Sequence, residues 1–132
     1  MKIIFYIFIF IFIIIILSCS SPVANPLSTT RVGTYKGTQS TLQRRVLHLY
    51  VEGDGGFRMA YADTNAPTNA INTNNDFLVN ATNITGVDPY YSFQNSQGVG
   101  TLEFIGDNRV IVTFRKLIPD YYRIGETLCI KE

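Results

Sequence analysis

The chain has 132 residues, 46% of them hydrophobic and 13% aromatic, enough for one domain. Eleven Lys and Arg, one of them Lys2, face ten Asp and Glu, so the chain beyond its first residues is close to neutral. With no basic stripe to neutralise phosphates and no block of like charge, nucleic acid is excluded as a partner.

From Ile3 to Leu17 every residue is apolar or aromatic, and Lys2 is the only side-chain charge before them. A positive start, a 15-residue apolar run and small polar residues after it are the layout of a secretory signal peptide, expected over 1–18. A membrane-spanning helix needs about 20 apolar residues, so the run is short for an uncleaved anchor, which is the alternative. Ile16-Leu17-Ser18-Cys19 resembles the bacterial lipobox, with an aliphatic residue, a small residue and then the cysteine. That resemblance implies a cut after Ser18, and a Cys19 that carries a diacylglyceryl group and a further acyl chain such as palmitate. Two or more buried chains anchor a protein stably, at ~0.8 kcal/mol per methylene. The alternative is an ordinary signal peptide with a coincidental cysteine. The apolar run of Ile and Phe is similar to those of spirochaetal lipoproteins, which implies a cell-envelope address with the outer membrane favoured.

With Cys19 acylated, Cys129 is the only other cysteine and no internal disulfide is expected. Thr127-Leu128-Cys129-Ile130 reads as a terminal strand, so Cys129 is expected as a small buried hydrophobe, with a reactive thiol as the alternative. Ser20 to Thr30, with two prolines, five Ser or Thr and no charge, reads as a flexible tether; lipidated terminus and tether cover 19–30, and the domain covers 31–132.

The domain shows period two. Leu47, Leu49 and Val51 alternate with His48, Tyr50 and Glu52; after Gly53-Asp54-Gly55-Gly56, Phe57, Met59 and Tyr61 alternate again, which predicts a hairpin. A second hairpin joins Thr101–Ile105 to Arg109–Arg115 through Gly106-Asp107-Asn108. Weaker strands are expected at Val32–Thr38, Asp76–Thr82, Tyr90–Gln94 and Tyr121–Ile130. About eight short strands predict an all-β fold, an antiparallel up-and-down barrel, with a β-sandwich as the alternative. The stretch Ala62–Asp76, rich in Asn, Thr and Ala, is expected as a long mobile loop.

Gly33-Thr34-Tyr35-Lys36-Gly37-Thr38, followed by Leu47–Tyr61, resembles the small lipocalin-like (calycin-type) barrels of bacterial lipoproteins. The same stretch is similar to the N-terminal barrel of the NlpE copper-stress lipoprotein family. That family carries a Cys-x-x-Cys between its first two strands, whereas Gln39–Arg45 here has no cysteine, so its thiol or metal role does not transfer. Lipocalins usually place Trp in the opening strand; this chain has none, and Tyr35 takes that place.

Catalytic signals are sparse. His48 is the single histidine and shares a strand face with Tyr50 and Glu52; it is expected to be a partly exposed strand residue, as no nucleophile elbow accompanies it. Glu52, Asp54, Asp107 and Asp120 lie in or beside turns, where they support local backbone hydrogen bonds. One histidine and one free cysteine are too few for a zinc site, and no cofactor or metal is expected. Asn80-Ala81-Thr82 and Asn83-Ile84-Thr85 match the N-glycosylation pattern, which a bacterial lipoprotein does not normally use. Seven tyrosines follow Cys19, and in Tyr90-Tyr91 and Tyr121-Tyr122 one ring of each pair must face inward. Tyr35, Tyr50, Tyr61, Tyr91 and Tyr122 are the candidate ligand-binding residues, the alternative being that these rings pack the core. The expectation is a monomeric, non-catalytic, lipid-anchored envelope protein that binds a small apolar ligand or an envelope protein. The other reading is a small envelope enzyme or redox protein using His48 or Cys129.

Overall fold

Successive side chains of a strand point to opposite faces, so the alternating runs fix both the strands and the faces they bury. A computed structural model describes residues 26–39, 45–63, 65, 77–116 and 122–132. It contains nine strands, β1 (Gly33–Gly37), β2 (Arg45–Val51), β3 (Phe57–Asp63), β4 (Phe77–Val79), β5 (Ile84–Val87), β6 (Tyr90–Gln94), β7 (Gly98–Ile105), β8 (Arg109–Lys116) and β9 (Tyr122–Lys131). Among the described residues the 3-10 turns are η1 (Thr29–Arg31) and η2 (Ala81–Asn83). The expected signal segment and Cys19 lie outside the described residues, as do Asp120 and most of the Ala62–Asp76 loop, whose first two residues extend β3.

The strands form one antiparallel sheet in the order β4-β3-β2-β1-β9-β8-β7-β6-β5, curled into a nearly closed barrel, which excludes the sandwich. β1 is paired with β9, Tyr35 opposite Lys131 and Gly37 opposite Cys129, so the first and last strands lie side by side. Because every step through the order is antiparallel, β4 and β5 run the same way, separated only by Asn80 and η2. They act as one interrupted strand, its first half bonded to β3 and its second to β6. β5 is the ninth strand, lying beyond the expected Asp76–Thr82. The Asn95 carboxamide ties the seam: its Nδ2 donates to Leu78 O at 2.8 Å, while its Oδ1 accepts from the amides of Gln97 and Gly98.

Inward positions carry the core. Tyr35, Leu49, Val51, Phe57, Val79, Ile84, Val110 and Val112 have no exposed surface. Rings run through the interior in contact with one another: Phe57–Phe93 centroids are 4.9 Å apart, Phe77–Phe114 4.4 Å, and Tyr35–Phe104 and Tyr91–Phe104 6.0 Å each. Each such side chain contributes about 1.5–3 kcal/mol by leaving water. The rings fit because β7 presents Gly98 and Gly100 to them. A methyl group at Gly98 would sit 2.8 Å from Phe114 Cε2, and one at Gly100 would overlap Thr113 O and lie 2.5 Å from Phe93 Cζ.

The described part of the expected 19–30 tether packs on the barrel. Leu27 is 3% exposed within the core, and its amide donates to Gly55 O at 3.0 Å. Gly55 has φ 86°, a conformation that favours glycine, and Pro26 packs directly on its Cα. Leu27 and η1 cover the barrel end formed by the 53–56, 88–89 and 106–108 turns. Among the described residues no helix is long and apolar enough to cross a membrane.

Candidate functional site

The two residues on which catalysis or redox chemistry would rest are both shut away. His48 points outward by alternation, yet it has no exposed surface, contrary to the partial exposure expected of it. Its Nε2–H donates to Asp63 O at 3.1 Å, and burial pushes its pKa below the ordinary histidine value, so the ring is neutral at pH 7. Cys129 has no exposed surface either, and burial alone pushes its thiol up to about 12. A thiol that neither ionises near neutrality nor meets solvent is a poor nucleophile. In native protein at pH 8, maleimide is expected to leave the Cys129 peptide unmodified, and urea to make it fully reactive; modification under native conditions would refute this burial.

The candidate tyrosines separate by face. Tyr35 and Tyr91 point into the barrel at 0% and 4% exposure, whereas Tyr90 stands 61% exposed, so the inward–outward split within Tyr90-Tyr91 holds. The inward hydroxyls are engaged at the barrel end: Tyr35 donates to Arg31 O at 2.9 Å, and Tyr91 lies 3.4 Å from both Asp88 Oδ2 and the Ser28 amide. Tyr61 is partly buried against the core. Tyr50 lies on the outer face, its ring under the Arg58 guanidinium at 5.0 Å, and Arg58 Nε pairs with Glu52 at 2.7 Å. The Tyr122 side chain lies outside the described residues. Of the four whose side chains are described, Tyr35 and Tyr91 thus face inward at the barrel end, Tyr61 packs against the core and Tyr50 faces outward.

One constellation escapes the sequence reading. Arg31, at the end of η1, is only 8% exposed. Its Nε and Nη2 donate to the two carboxylate oxygens of Asp88 at 2.7 and 2.6 Å, and its Nη1 donates to Gly106 O at 2.5 Å. The guanidinium also lies 4.7 Å from the Phe104 ring centroid. The bidentate pair holds the Asp88 carboxyl below its ordinary pKa. This cluster binds η1 to the 88–89 and 106–108 turns and so closes the barrel end, with the exposed Asp107 carboxylate a further 4.0 Å from Arg31 Nη1.

The second constellation is on the outer face of β5 to β8. Thr85 stands opposite Ser92, Ser92 opposite Thr101, and Thr101 opposite Thr113, a row of hydroxyls across four adjacent strands spaced by about 4.8 Å. The Thr101 and Thr113 hydroxyls bond to each other. Along β6 the same face presents Tyr90, Ser92 and Gln94, all exposed. Beside η2 the row opens into a groove of about 720 Å³, lined by Thr82, Asn83, Thr85, Ser92, Gln94 and Ser96 among others. Seven of its nine lining residues are Ser, Thr, Asn or Gln and none is charged, so it has hydrogen-bonding capacity without a field. Only the register of four strands assembles this row, which is why local sequence patterns do not reveal it.

No protein-family model, curated protein or solved structure matches the chain. Among the described residues, no three His, Cys, Asp or Glu side chains are grouped to hold a metal ion.

Proposed function

We propose that this protein is a lipid-anchored component of a bacterial cell envelope, held at the outer membrane through Cys19, whose barrel is a non-catalytic binding module. The observation that carries the binding reading is the barrel's division of labour. Its interior is occupied by rings in mutual contact, and the hydroxyls of Tyr35 and Tyr91 are engaged at the barrel end. Recognition then belongs to the outer surface, where the hydroxyl row and its groove lie, rather than to an apolar ligand inside. The burial of His48 and Cys129 weighs against the enzyme and redox readings, since each needs contact with a substrate or oxidant.

Anchoring rests on the lipobox-like Ile16-Leu17-Ser18-Cys19, and a lipocalin-like origin on Gly33-Thr34-Tyr35, where Tyr35 fills the opening-strand aromatic position as a fully buried ring. Metabolic labelling with palmitate is expected to mark the wild-type protein and to leave Cys19→Ala unlabelled. Equal labelling of the two would end the anchoring proposal.

A further inference from the structure

We infer that the outer face of β5–β7, centred on the groove beside η2, is a binding site for a neutral oligosaccharide. This deepens the binding role proposed above and rests on it. Two observations concern the groove itself, and a third the same sheet face beside its lining. The groove, of about 720 Å³, is open and shallow, and lies between η2 and the 95–97 turn. Its wall sets short hydroxyls and carboxamides among apolar surface that includes Phe93 and Val99; the polar groups of Thr82, Asn83, Thr85, Ser92, Gln94 and Ser96 bond to no neighbour among the described residues, so their donors and acceptors are available. Two places along β6 from Gln94 and next to Ser92 on the same face, the Tyr90 ring stands 61% exposed.

A saccharide presents the matching chemistry. Its hydroxyls both donate and accept, as do Ser, Thr, Asn and Gln, and its axial C–H groups form an apolar patch that lies against an aromatic ring. Other ligand classes fit less well. A phosphate or other anion needs cationic donors, and no lining residue is charged. A lipid chain would strand unbonded hydroxyls and amides against methylenes, at a cost for each polar group left without a partner. The rigid row Thr85–Ser92–Thr101, set by strand register, adds hydroxyls at fixed spacing on which further sugar units would lie. Asn95 is not part of this recognition, because its carboxamide is spent on Leu78, Gln97 and Gly98; it holds the 95–97 turn as the wall of the groove.

The test uses the full chain in a detergent without a sugar headgroup, titrated with the tetramers of N-acetylglucosamine and of glucose and read by saturation-transfer NMR. Binding of at least one tetramer is expected. Tyr90→Ala and Gln94→Ala are each expected to weaken it about five- to tenfold, the effect of one lost contact, while Ile130→Ser on distant β9 leaves it unchanged. Thermal unfolding of all three variants should match wild type, since each side chain is exposed. No saturation transfer at millimolar concentration with either tetramer overturns the proposal, as does binding that Tyr90→Ala and Gln94→Ala do not weaken. Response to a neutral Ala-Ser peptide with none to the tetramers would assign the groove to extended chains and overturn the saccharide assignment. Palmitate labelling of the same preparation keeps the two readings apart: a labelled protein that ignores both tetramers loses this inference and keeps its anchor.

Discussion

Gly100→Ala is expected to lower the thermal midpoint of the barrel by roughly 10–20 °C, corresponding to about 3 kcal/mol for a domain of this size. The new methyl group would overlap the carbonyl oxygen of Thr113 on the neighbouring strand and meet Phe93 Cζ at 2.5 Å. Side chains at the end of a flexible stem can swing away from such a contact, but a ladder carbonyl cannot. Phe93 is itself held at 2% exposure between Phe57, Phe77 and Phe114. The strand pair must therefore separate locally or the ring cluster must shift, and either disturbs close-packed core. Gly53→Ala is the control: its added carbon meets nothing within 4 Å, and a change below about 0.5 kcal/mol is expected. Urea unfolding of the three proteins decides it; equal midpoints for Gly100→Ala and wild type would show that β7 tolerates a side chain against the rings.

The second large effect is at the barrel end. Asp88→Ala leaves the Arg31 guanidinium buried beside Phe104 with Gly106 O and, 4.0 Å away, only the fully exposed Asp107 carboxylate as partners, and so weakly compensated a buried charge is costly. We expect a loss of about 3 kcal/mol, at the low end for a broken pair because the Asp88 side chain is 36% exposed and water screens it. Adding Arg31→Met should recover part of that loss, since it removes the stranded charge; a double variant as unstable as the sum of the singles would refute the pairing argument. The same pair sets a pH dependence. Arg31 hydrogen-bonds and attracts the ionised Asp88, so the folded carboxyl titrates below its ordinary value. Its stabilisation is complete above the unfolded carboxylate pKa of about 4 and is lost as pH falls through the depressed folded value. Wild-type stability should thus decline below about pH 4, and Asp88→Asn should lack that part of the slope.

Local pattern was enough where strands are joined by short turns. The β2–β3 and β7–β8 hairpins follow from alternation around Gly53–Gly56 and Gly106–Asn108, and the register Leu102 opposite Val112 and Phe104 opposite Val110 puts the expected residues inward. β5 was missed because its four residues include Gly86 at φ 107° and lead into Asp88-Pro89, which together read as turn. Arg31 was missed for another reason. Alone in a polar stretch it reads as surface, and its partner Asp88 stands 57 residues away. His48 shows the limit of alternation itself: the pattern gives the face a side chain points to, but not whether that face is covered. The groove and the hydroxyl row depend on several strands in register, and neither Thr85, Ser92 nor Thr101 is unusual in its own neighbourhood.

The pairing of β1 with β9 carries a consequence for the order of events in folding. The Thr38 amide and hydroxyl both donate to Leu128 O, across 90 residues of chain. β1 to β4 can zip together as local hairpins, but the bare edge of β1 waits for residues near the other end of the domain. Closure is therefore a late, long-range step, and contacts of that kind place folding in the slow regime of milliseconds to seconds. A chain threaded through a membrane from its N-terminus would stay open, and hence threadable, until the closing strand had followed it across.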